Sequence, residues 1–247
     1  MNIWGITHRG MVREENQDAF AVQTLAEDEL LAVVCDGMGG ARAGNIASTL
    51  AVETFLELFG QLWNDKQVAY EQMLESAAAY ANEVVHRRSA TDEACLGMGT
   101  TMVAVLLDGS RAVILNEGDS RAYHITQEDI TRVTRDHSLV EDLVLRGDLT
   151  PEQARTHPHK NLITRALGAE PQLHADLFVQ EVKQGDFLLL CSDGLSNVVS
   201  DQEILYEVIH GGPADECCQR LLDIALKRGA PDNVTVALIR CGEGGEL

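Results

Sequence analysis

The chain has 247 residues, of which 45% are hydrophobic and 23% charged, a composition typical of a folded protein and not of a disordered one. Its formal net charge of −20 argues against a nucleic-acid partner, because such binding depends on Lys and Arg neutralising phosphates. No apolar run approaches the about 20 residues that span a bilayer, and the N-terminal MNIWGITHRG lacks the pattern of a signal peptide. We therefore expect a single domain in the cytoplasm, without a membrane partner.

The first half of the chain alternates predicted strands and helices. The β-like segments NIWGIT, FAVQTL and LLAVVC open the chain, and we expect them to pair in one sheet. Apolar residues at helical spacing then predict two amphipathic helices over 43–60 and 65–90. Four strands follow, TTMVAVLLDG, RAVILNEG, RAYHIT and DITRVT, separated by turn residues. This pattern predicts an antiparallel meander.

The second half begins with a polar stretch, 136–168, which predicts a surface loop with short helices and a capping box starting at Thr150. The strands LHADLFVQEV and FLLLCSD follow, then a helix with a capping box starting at Ser200, a helix near 213–228, and the strand NVTVALIRC. The order is strands, two helices, strands, two helices and a strand. It differs from a parallel α/β sheet, in which each strand alternates with one helix. The order predicts an α+β fold, with antiparallel sheets and helices packed outside them.

Five aspartates that are far apart in the sequence share one local context. Most adjoin glycine or follow an apolar run that predicts a buried strand. They are Asp18 in ENQD, Asp36 in LLAVVCDGMGG, Asp119 in AVILNEGDSR, Asp193 in FLLLCSDGL and Asp232 in APDNVTVALI. Strand ends hold side chains rigidly, so these carboxylates can converge on one point. Because Mg²⁺ and Mn²⁺ prefer oxygen ligands completed by water, the pattern predicts a site for such cations.

The segment Asp36-Gly37 is the first part of this site. Alone it is typical of a glycine-rich turn into a helix, and the other four contexts favour the metal interpretation. Glycine lets the backbone approach a cation, so the Asp36 carboxylate and the Gly37 carbonyl are candidate ligands. With Asp193 and Asp232 they suit two cations about 4 Å apart, which would lower the pKa of a bridging water and hold phosphoryl oxygens. Asp18 could complete the site directly or through water.

Arg13, five residues before Asp18, is a candidate for bidentate binding of a phosphate group. A surface ion pair with Glu14 or Glu15 is the alternative, and the neighbouring Asp18 favours the functional one. His157-Pro158-His159 lies in a polar segment, and we assign it no metal role. The six cysteines show no paired spacing, so neither a zinc site nor a disulfide framework is indicated, and we expect buried thiols.

Several motifs occur in a fixed order: VREENQD, DGMGG followed by AG, GMGTT, GDSRAY, DHSLV, SDGL and DN. In this order they resemble the metal-dependent protein phosphatase family, type 2C, in its bacterial form, over nearly the whole chain. The resemblance implies a four-layer α-β-β-α sandwich, in which helix pairs flank two antiparallel sheets. It also implies a dinuclear Mn²⁺ or Mg²⁺ centre at one edge, and one catalytic domain over residues 1–247 with 136–168 as a flap.

The resemblance implies a role for each metal-site residue. Asp36 would bridge the two ions, with the Gly37 carbonyl on one ion and Asp193 and Asp232 on the other. Asp18 would act on the second ion, mostly through water. The side chains expected to carry catalysis are thus Asp36 and Asp193, together with Arg13.

Two further roles follow from the resemblance. Arg13 would hold the substrate phosphate, and Asp119 with Asp193 would form a third, labile metal site next to the flap. Where eukaryotic members carry histidine this chain has Met38, and where bacterial members often place one it has Ala41. We therefore assign no side-chain general acid and leave protonation of the leaving oxygen to metal-bound water.

The resemblance implies a protein serine/threonine phosphatase, which hydrolyses phosphoserine and phosphothreonine by attack of a metal-bridging hydroxide. Its partners would be phosphorylated proteins and a cognate bacterial Ser/Thr kinase. The sequence does not indicate the oligomeric state, for which a monomer is the default expectation. Two alternatives stay open at this point: a non-catalytic pseudophosphatase that serves as a binding module, and a phosphatase for small phosphorylated metabolites.

Overall fold

The computed structural model describes residues 2–65 and 67–242, and the side chains of residues 40–42 lie outside that description. Within these residues the strands form two antiparallel sheets. The first sheet contains β1 (Asn2–His8), β7 (Arg121–Ile125), β8 (Ile130–Arg132), β10 (Phe187–Cys191) and β11 (Val234–Arg240), in the order β1-β11-β10-β7-β8. The second contains β2 (Asp18–Ala26), β3 (Glu29–Met38), β5 (Met102–Asp108), β6 (Arg111–Glu117) and β9 (Asp176–Glu181), in that order, and β4 (Gly99–Thr100) pairs with β3.

Helix pairs cover the outer face of each sheet. The helices are α1 (Gly40–Asp65), α2 (Tyr70–Thr91), α3 (Leu139–Leu145), α4 (Pro151–Arg155), α5 (Asp193–Ser196), α6 (Asp201–His210) and α7 (Cys217–Lys227), with 3-10 turns at Glu93–Cys95 and Ala214–Glu216. Helices α1 and α2 pack on the second sheet, and α6 and α7 on the first. The layer order is helix, sheet, sheet, helix, as predicted. Within the described residues, no helix is long and apolar enough to cross a bilayer.

The apolar run of β3 shows how the layers are held together. Successive side chains of a strand point to opposite faces. Leu31 and Val33 pack against the α1 and α2 layer, whereas Leu30 and Val34 pack between the two sheets. Both faces of β3 are therefore covered, which is why its sequence is continuously apolar instead of alternating. Burying each such side chain contributes about 1.5–3 kcal/mol.

The prediction that the first three β-like segments share a sheet is wrong. Strand β1 pairs with β11 in the first sheet, while β2 and β3 pair in the second. Gly5 on β1 faces the ring of Phe20 on β2, where a Cβ at Gly5 would lie 2.4 Å from Phe20 Cε2. The two strands thus pack face to face between the sheets. The partner of β1 comes from the other end of the chain, so no local pattern could identify it.

The predicted four-stranded meander is also wrong. Strands β5 and β6 pair in the second sheet, and β7 and β8 pair in the first. The chain crosses between the sheets at Gly118, whose φ is +110°, a conformation that favours glycine. A Cβ at Gly118 would lie 2.5 Å from Thr101 Cγ2, so a larger residue has no room there. The crossing places the next residue, Asp119, where the two sheets meet.

Segment 136–168 contains the short helices α3 and α4, as predicted. The capping box at Thr150 is present, because its N–H donates to Gln153 Oε1 over 2.8 Å and its Oγ1 accepts from the Gln153 N–H over 3.3 Å. His159 within the segment is exposed. All six cysteines are buried free thiols, which confirms that they pack as small apolar side chains.

Candidate active site

One pocket of about 670 Å³ lies where β3, β6 and β10 end, and it collects most of the predicted site residues. Its lining includes Arg13, Asp36, Gly37, Asp119, Asp193 and Asp232. Asp18 lies next to Asp36, because the two residues are partners across β2 and β3. The fold therefore brings together every residue that the sequence nominated for the site.

The backbone of Asp36 is fixed by two threonines. Its N–H donates to Thr101 Oγ1 over 2.9 Å, and its carbonyl accepts from the Thr101 N–H over 2.8 Å and from Thr100 Oγ1 over 2.9 Å. The next residue must be glycine, because a Cβ at Gly37 would lie 2.0 Å from the Gly44 carbonyl oxygen. Asp36 is thus held rigidly at the end of a buried strand while its side chain stays accessible from the pocket.

Asp18 is almost fully enclosed, with 6% of its surface exposed. Its Oδ2 accepts hydrogen bonds from Ser192 Oγ over 2.7 Å and from Thr235 Oγ1 over 2.6 Å. Its Oδ1 is buried and has no hydrogen-bond partner among the described residues. Because both hydroxyls come from the first sheet and Asp18 from the second, this network fixes the carboxylate across the sandwich and leaves one oxygen unused.

Asp193 begins the short helix α5 directly after β10. Its Oδ2 accepts from Asn197 Nδ2 over 2.9 Å, and its Oδ1 is buried without a hydrogen-bond partner in the part of the chain that is described. A Cβ at Gly194 would lie 1.8 Å from the Asn233 carbonyl oxygen. The α5 turn therefore packs directly on the segment that carries Asp232, which holds the two aspartates close together.

Arg13 lies at the pocket with about half of its side chain exposed, and its Nη2 donates to Asp232 Oδ2 over 2.7 Å. The other oxygen of Asp232 accepts from the Asn233 N–H over 2.9 Å. The hydrogen bond that Arg13 donates to Asp232 raises the pKa of Arg13 above its usual value. The guanidinium thus stays charged and is oriented by one of the predicted metal ligands.

One buried amide makes three of the hydrogen bonds that hold the loop carrying Arg13. Asn233 Nδ2 donates to the carbonyl oxygens of Arg9 and Glu15, each over 2.9 Å, and its Oδ1 accepts from the Gln17 N–H over 2.8 Å. Only 4% of Asn233 is exposed. The start of β11 therefore determines where residues 9–17 lie.

The carboxyl groups of the site share one electrostatic feature. Burial is the main cause that raises the pKa of Asp18 to about 7, of Asp119 to about 8 and of Asp193 to about 6, and repulsion from neighbouring aspartates adds to each shift. The pKa of Asp36 is raised well above its usual value by burial and by Asp18 and the other site carboxylates. Lys160 is among the cations that oppose the shift of Asp193. The cations near the site, such as Arg13 and Lys160, do not outweigh the effects of burial and of repulsion between the carboxylates.

The donor set fits hard divalent cations. Its atoms are oxygens, and two of them, Asp18 Oδ1 and Asp193 Oδ1, are buried without a partner in the described chain. No three His, Cys, Asp or Glu side chains within residues 2–65 and 67–242 converge on one metal position as they stand. The predicted set relies also on the Gly37 carbonyl and on water, which suits Mg²⁺ and Mn²⁺.

Comparison with known proteins identifies the family. The family described as protein phosphatase 2C matches residues 7–232. The chain belongs to the protein phosphatase 2C family. It is 37% identical over 247 residues to protein phosphatase PhpP of Streptococcus pneumoniae. The alignment covers 98% of this chain and 98% of that protein.

Solved structures agree with this protein phosphatase 2C assignment. The serine/threonine phosphatase Stp1 from Staphylococcus aureus has a TM-score of 0.89 and 35% identity, covering 98% of this chain and 95% of that one. The catalytic domain of the serine/threonine phosphatase PstP, solved in complex with two manganese ions, has a TM-score of 0.81 and 35% identity, covering 96% of each chain. The predicted family, α-β-β-α fold and metal-dependent protein serine/threonine phosphatase activity are confirmed, and a two-cation cofactor agrees with the PstP structure.

The absence of a side-chain general acid in this phosphatase stays a prediction. Met38 lines the pocket, and the described lining residues include no histidine. The side chain of Ala41 lies outside the described set. The roles predicted for the individual aspartates and for Arg13 likewise stay predictions, although the fold places these residues together.

Sequence reasoning missed the polar side chains that position the aspartates. Thr101 and Asn233 had a signal, because they occur in the GMGTT and DN motifs, yet no role was assigned to them. Ser192 had the same kind of signal, as the first residue of SDGL, and Thr235 had none, since a hydroxyl in a strand is ordinary. Asn161 of segment 136–168 also lines the pocket, and nothing in its polar surroundings distinguished it.

Proposed function

We propose that this chain hydrolyses phosphoserine and phosphothreonine in the pocket around Asp36, with two Mn²⁺ or Mg²⁺ ions held by Asp36, the Gly37 carbonyl, Asp193 and Asp232. The observation that carries the proposal is that five distant aspartates meet in or beside one pocket. When bound, the ions supply positive charge that stabilises phosphoryl oxygens and activates water.

Asp18 serves the second ion, mostly through water. Its Oδ2 is held by two hydroxyl donors, so its unpartnered Oδ1 is the oxygen that remains for this role. The hydrogen bonds fix the direction in which Oδ1 points. Ser192 and Thr235 are therefore positioning residues, which keep the carboxylate oriented as substrate enters and phosphate leaves.

Arg13 binds the substrate phosphate. A guanidinium presents donors in a planar fork that matches two phosphate oxygens. Asp232 engages Nη2 and orients the group, while about half of the side chain stays open to the pocket. The arginine thus reaches an incoming phosphate monoester without a large rearrangement.

Asp119 and Asp193 hold a third, labile ion beside segment 136–168, which acts as the flap of one catalytic domain over residues 1–247. Isolated bridges between Ser138 and Ile163 and between Thr100 and Leu167 attach this segment near the pocket. Asn161 and Ile163 line the pocket itself. With Asp119 and Asp193 as its predicted protein ligands, such a third site would be weak.

The partners follow from the reaction. Phosphorylated proteins are the substrates, and a Ser/Thr kinase of the same cytoplasm supplies them. We propose a monomer, which sedimentation equilibrium would test. An autophosphorylated kinase from the same genome, offered as substrate, tests the kinase pairing. No specific feature of the site favours a non-catalytic pseudophosphatase or a phosphatase for small metabolites. The chain retains all five aspartates.

Phosphate release from a phosphothreonine peptide tests the proposal, with Mn²⁺, with EDTA, and with Asp193→Asn. We expect activity only in the Mn²⁺-loaded parent and in the control Asp223→Asn, which changes an exposed aspartate of α7. Full activity of Asp193→Asn would contradict the site. A higher kcat/KM on sugar phosphates than on phosphopeptides would favour the small-metabolite alternative, and absent Mn²⁺ binding with no activity would favour the binding module.

A further inference from the structure

A second cavity, of about 800 Å³, lies beside the catalytic pocket. Met38 and Ile163 line both cavities and so form their shared wall. Much of the remaining wall is apolar, with Ala166, Ala169 and Leu173. An extended peptide advances about 3.3–3.6 Å per residue. Residues flanking a phosphorylated side chain in the catalytic pocket are therefore within reach of the second cavity.

The cavity is also lined by a buried carboxylate without a partner. Glu117, at the end of β6, is only 3% exposed, and its Oε2 is enclosed with no hydrogen-bond partner among the described residues. Burying a carboxylate without compensation is unfavourable, so native proteins usually pair such groups. The side chain thus lies in the wall of a cavity large enough for a ligand and lacks the partner that a cationic ligand would supply.

The charges around this cavity leave an excess of carboxylate. Arg165 lines the cavity, but its Nη1 donates to Asp176 Oδ1 over 3.2 Å and to the His174 carbonyl over 3.0 Å. Asp176 therefore offsets part of the charge of Arg165. Burial raises the pKa of Glu117 and the charge of Arg165 lowers it, without a hydrogen bond to Glu117 Oε2. Glu170 adds a second carboxylate to the lining, and the His174 imidazole lies 3.8 Å from it.

We propose that this cavity is a specificity subsite, in which Glu117 and Glu170 bind the lysine or arginine side chain of a substrate residue that flanks the phosphoserine or phosphothreonine. The inference rests on the proposed function and names a preference within it. The aliphatic stem of such a residue packs on the apolar wall while its charged head reaches the carboxylates. Glu117 is the deeper contact, and Glu170, with a side chain 73% exposed, lies at the rim.

The test uses phosphothreonine peptides in which one lysine is moved through the positions flanking the phosphorylated residue, each with a norleucine counterpart. Norleucine keeps the stem and removes the charge. At one or two positions we expect the parent to prefer lysine by about tenfold in kcat/KM, which corresponds to about 1.4 kcal/mol. We expect Glu117→Gln to abolish that preference and Glu170→Gln to reduce it. The control Glu57→Gln, an exposed change on α1 with the same loss of charge, should retain it.

The outcomes separate this inference from the proposed function. A lysine to norleucine ratio near one at every position in the parent overturns the subsite, while hydrolysis of the peptides still supports the phosphatase. An unchanged preference in both Glu117→Gln and Glu170→Gln also overturns it, and the rim variant tests the idea even if the buried variant does not fold. Failure of the parent to hydrolyse any peptide contradicts the proposed function itself.

Discussion

Replacing Asn233 by alanine tests whether one buried amide determines the position of the phosphate-binding loop. The side chain makes three hydrogen bonds to the backbone of residues 9–17, at 2.9, 2.9 and 2.8 Å. Each contributes about 1 kcal/mol net, so Asn233→Ala should lower the free energy of unfolding by roughly 3 kcal/mol. Because all three bonds hold the loop that carries Arg13, the loss should fall mainly on that loop.

The effect on activity follows from Arg13. Hydrogen bonds from a charged donor contribute about 1.5–3 kcal/mol, so losing the ordered position of the guanidinium should reduce kcat/KM for para-nitrophenyl phosphate by at least roughly tenfold. We expect the change mainly in KM, because the proposed contact of Arg13 with the phosphate is made in the ground state as well. Urea unfolding and steady-state kinetics at saturating Mn²⁺ measure the two effects.

Asn82→Ala is the matched control. Asn82 is 2% exposed and also makes three side-chain hydrogen bonds, to the carbonyls of Glu170 and Pro171 and from the Gly168 N–H, at 3.1, 3.2 and 2.8 Å. It fastens residues 168–171, which carry Glu170 of the proposed subsite and none of the predicted catalytic residues. Para-nitrophenyl phosphate has no flanking residue to enter that subsite, so it is the substrate for this control. A similar loss of stability with unchanged kcat/KM is therefore expected. If both variants lose stability equally and Asn233→Ala keeps the kinetics of the parent, the loop does not depend on Asn233 for function and the reasoning is refuted.

Three further predictions follow from local geometry. Gly194→Ala should abolish most activity and lower the Tm, since its Cβ would lie 1.8 Å from the Asn233 carbonyl oxygen, and unchanged kinetics would show that the turn can yield. Arg121→Met should cost roughly 3 kcal/mol in urea unfolding, at the low end for a broken buried pair, because Asp136, 6% exposed, loses the guanidinium 2.7 Å away and keeps Arg132 at 3.5 Å. Adding Asp136→Asn should restore part of the loss. Burial lowers the pKa of His137 in the folded protein below the value of about 6.5 that it has in the unfolded chain. The stability that neutral His137 contributes is therefore present above about pH 6.5 and is lost as the pH falls through the pKa of the folded protein. The free energy of unfolding should fall by up to about 1.4 kcal/mol per pH unit. His137→Gln should flatten that acid-side slope in urea unfolding between pH 7.5 and 5.5, and an identical slope would contradict the assignment.

The sequence predicted the aspartates of the site because each has a local signature. Asp36 and Asp193 follow apolar strands and precede glycine, so their position at strand ends could be inferred without knowing the sheets. Sheet membership could not, since β1 pairs with a strand more than two hundred residues away and the crossing at Gly118 resembles an ordinary hairpin turn. The four-layer arrangement was predicted from the order of the motifs and the family that they resemble, because periodicity alone does not determine it.

The geometry of the site depends on contacts between the two sheets. Asp18 belongs to the second sheet, and its hydroxyl donors belong to β11 and to the end of β10 in the first. Asp36 ends a strand of the second sheet, while Asp193 follows a strand of the first. Any sliding of one sheet over the other would therefore change the spacing of the carboxylates.

The same arrangement links metal binding to stability. The predicted metal ligands come from both sheets, so ions held by them would bind only when the sandwich is assembled and would stabilise the folded state by mass action. At a free concentration of about 100 times the Kd, each site adds about 2.7 kcal/mol. The apolar contacts between the sheets hold carboxylates that repel one another, and the ions convert that repulsion into attraction. Residues at the sheet interface, such as Phe20 against Gly5, thus help to fix the spacing of the predicted metal ligands.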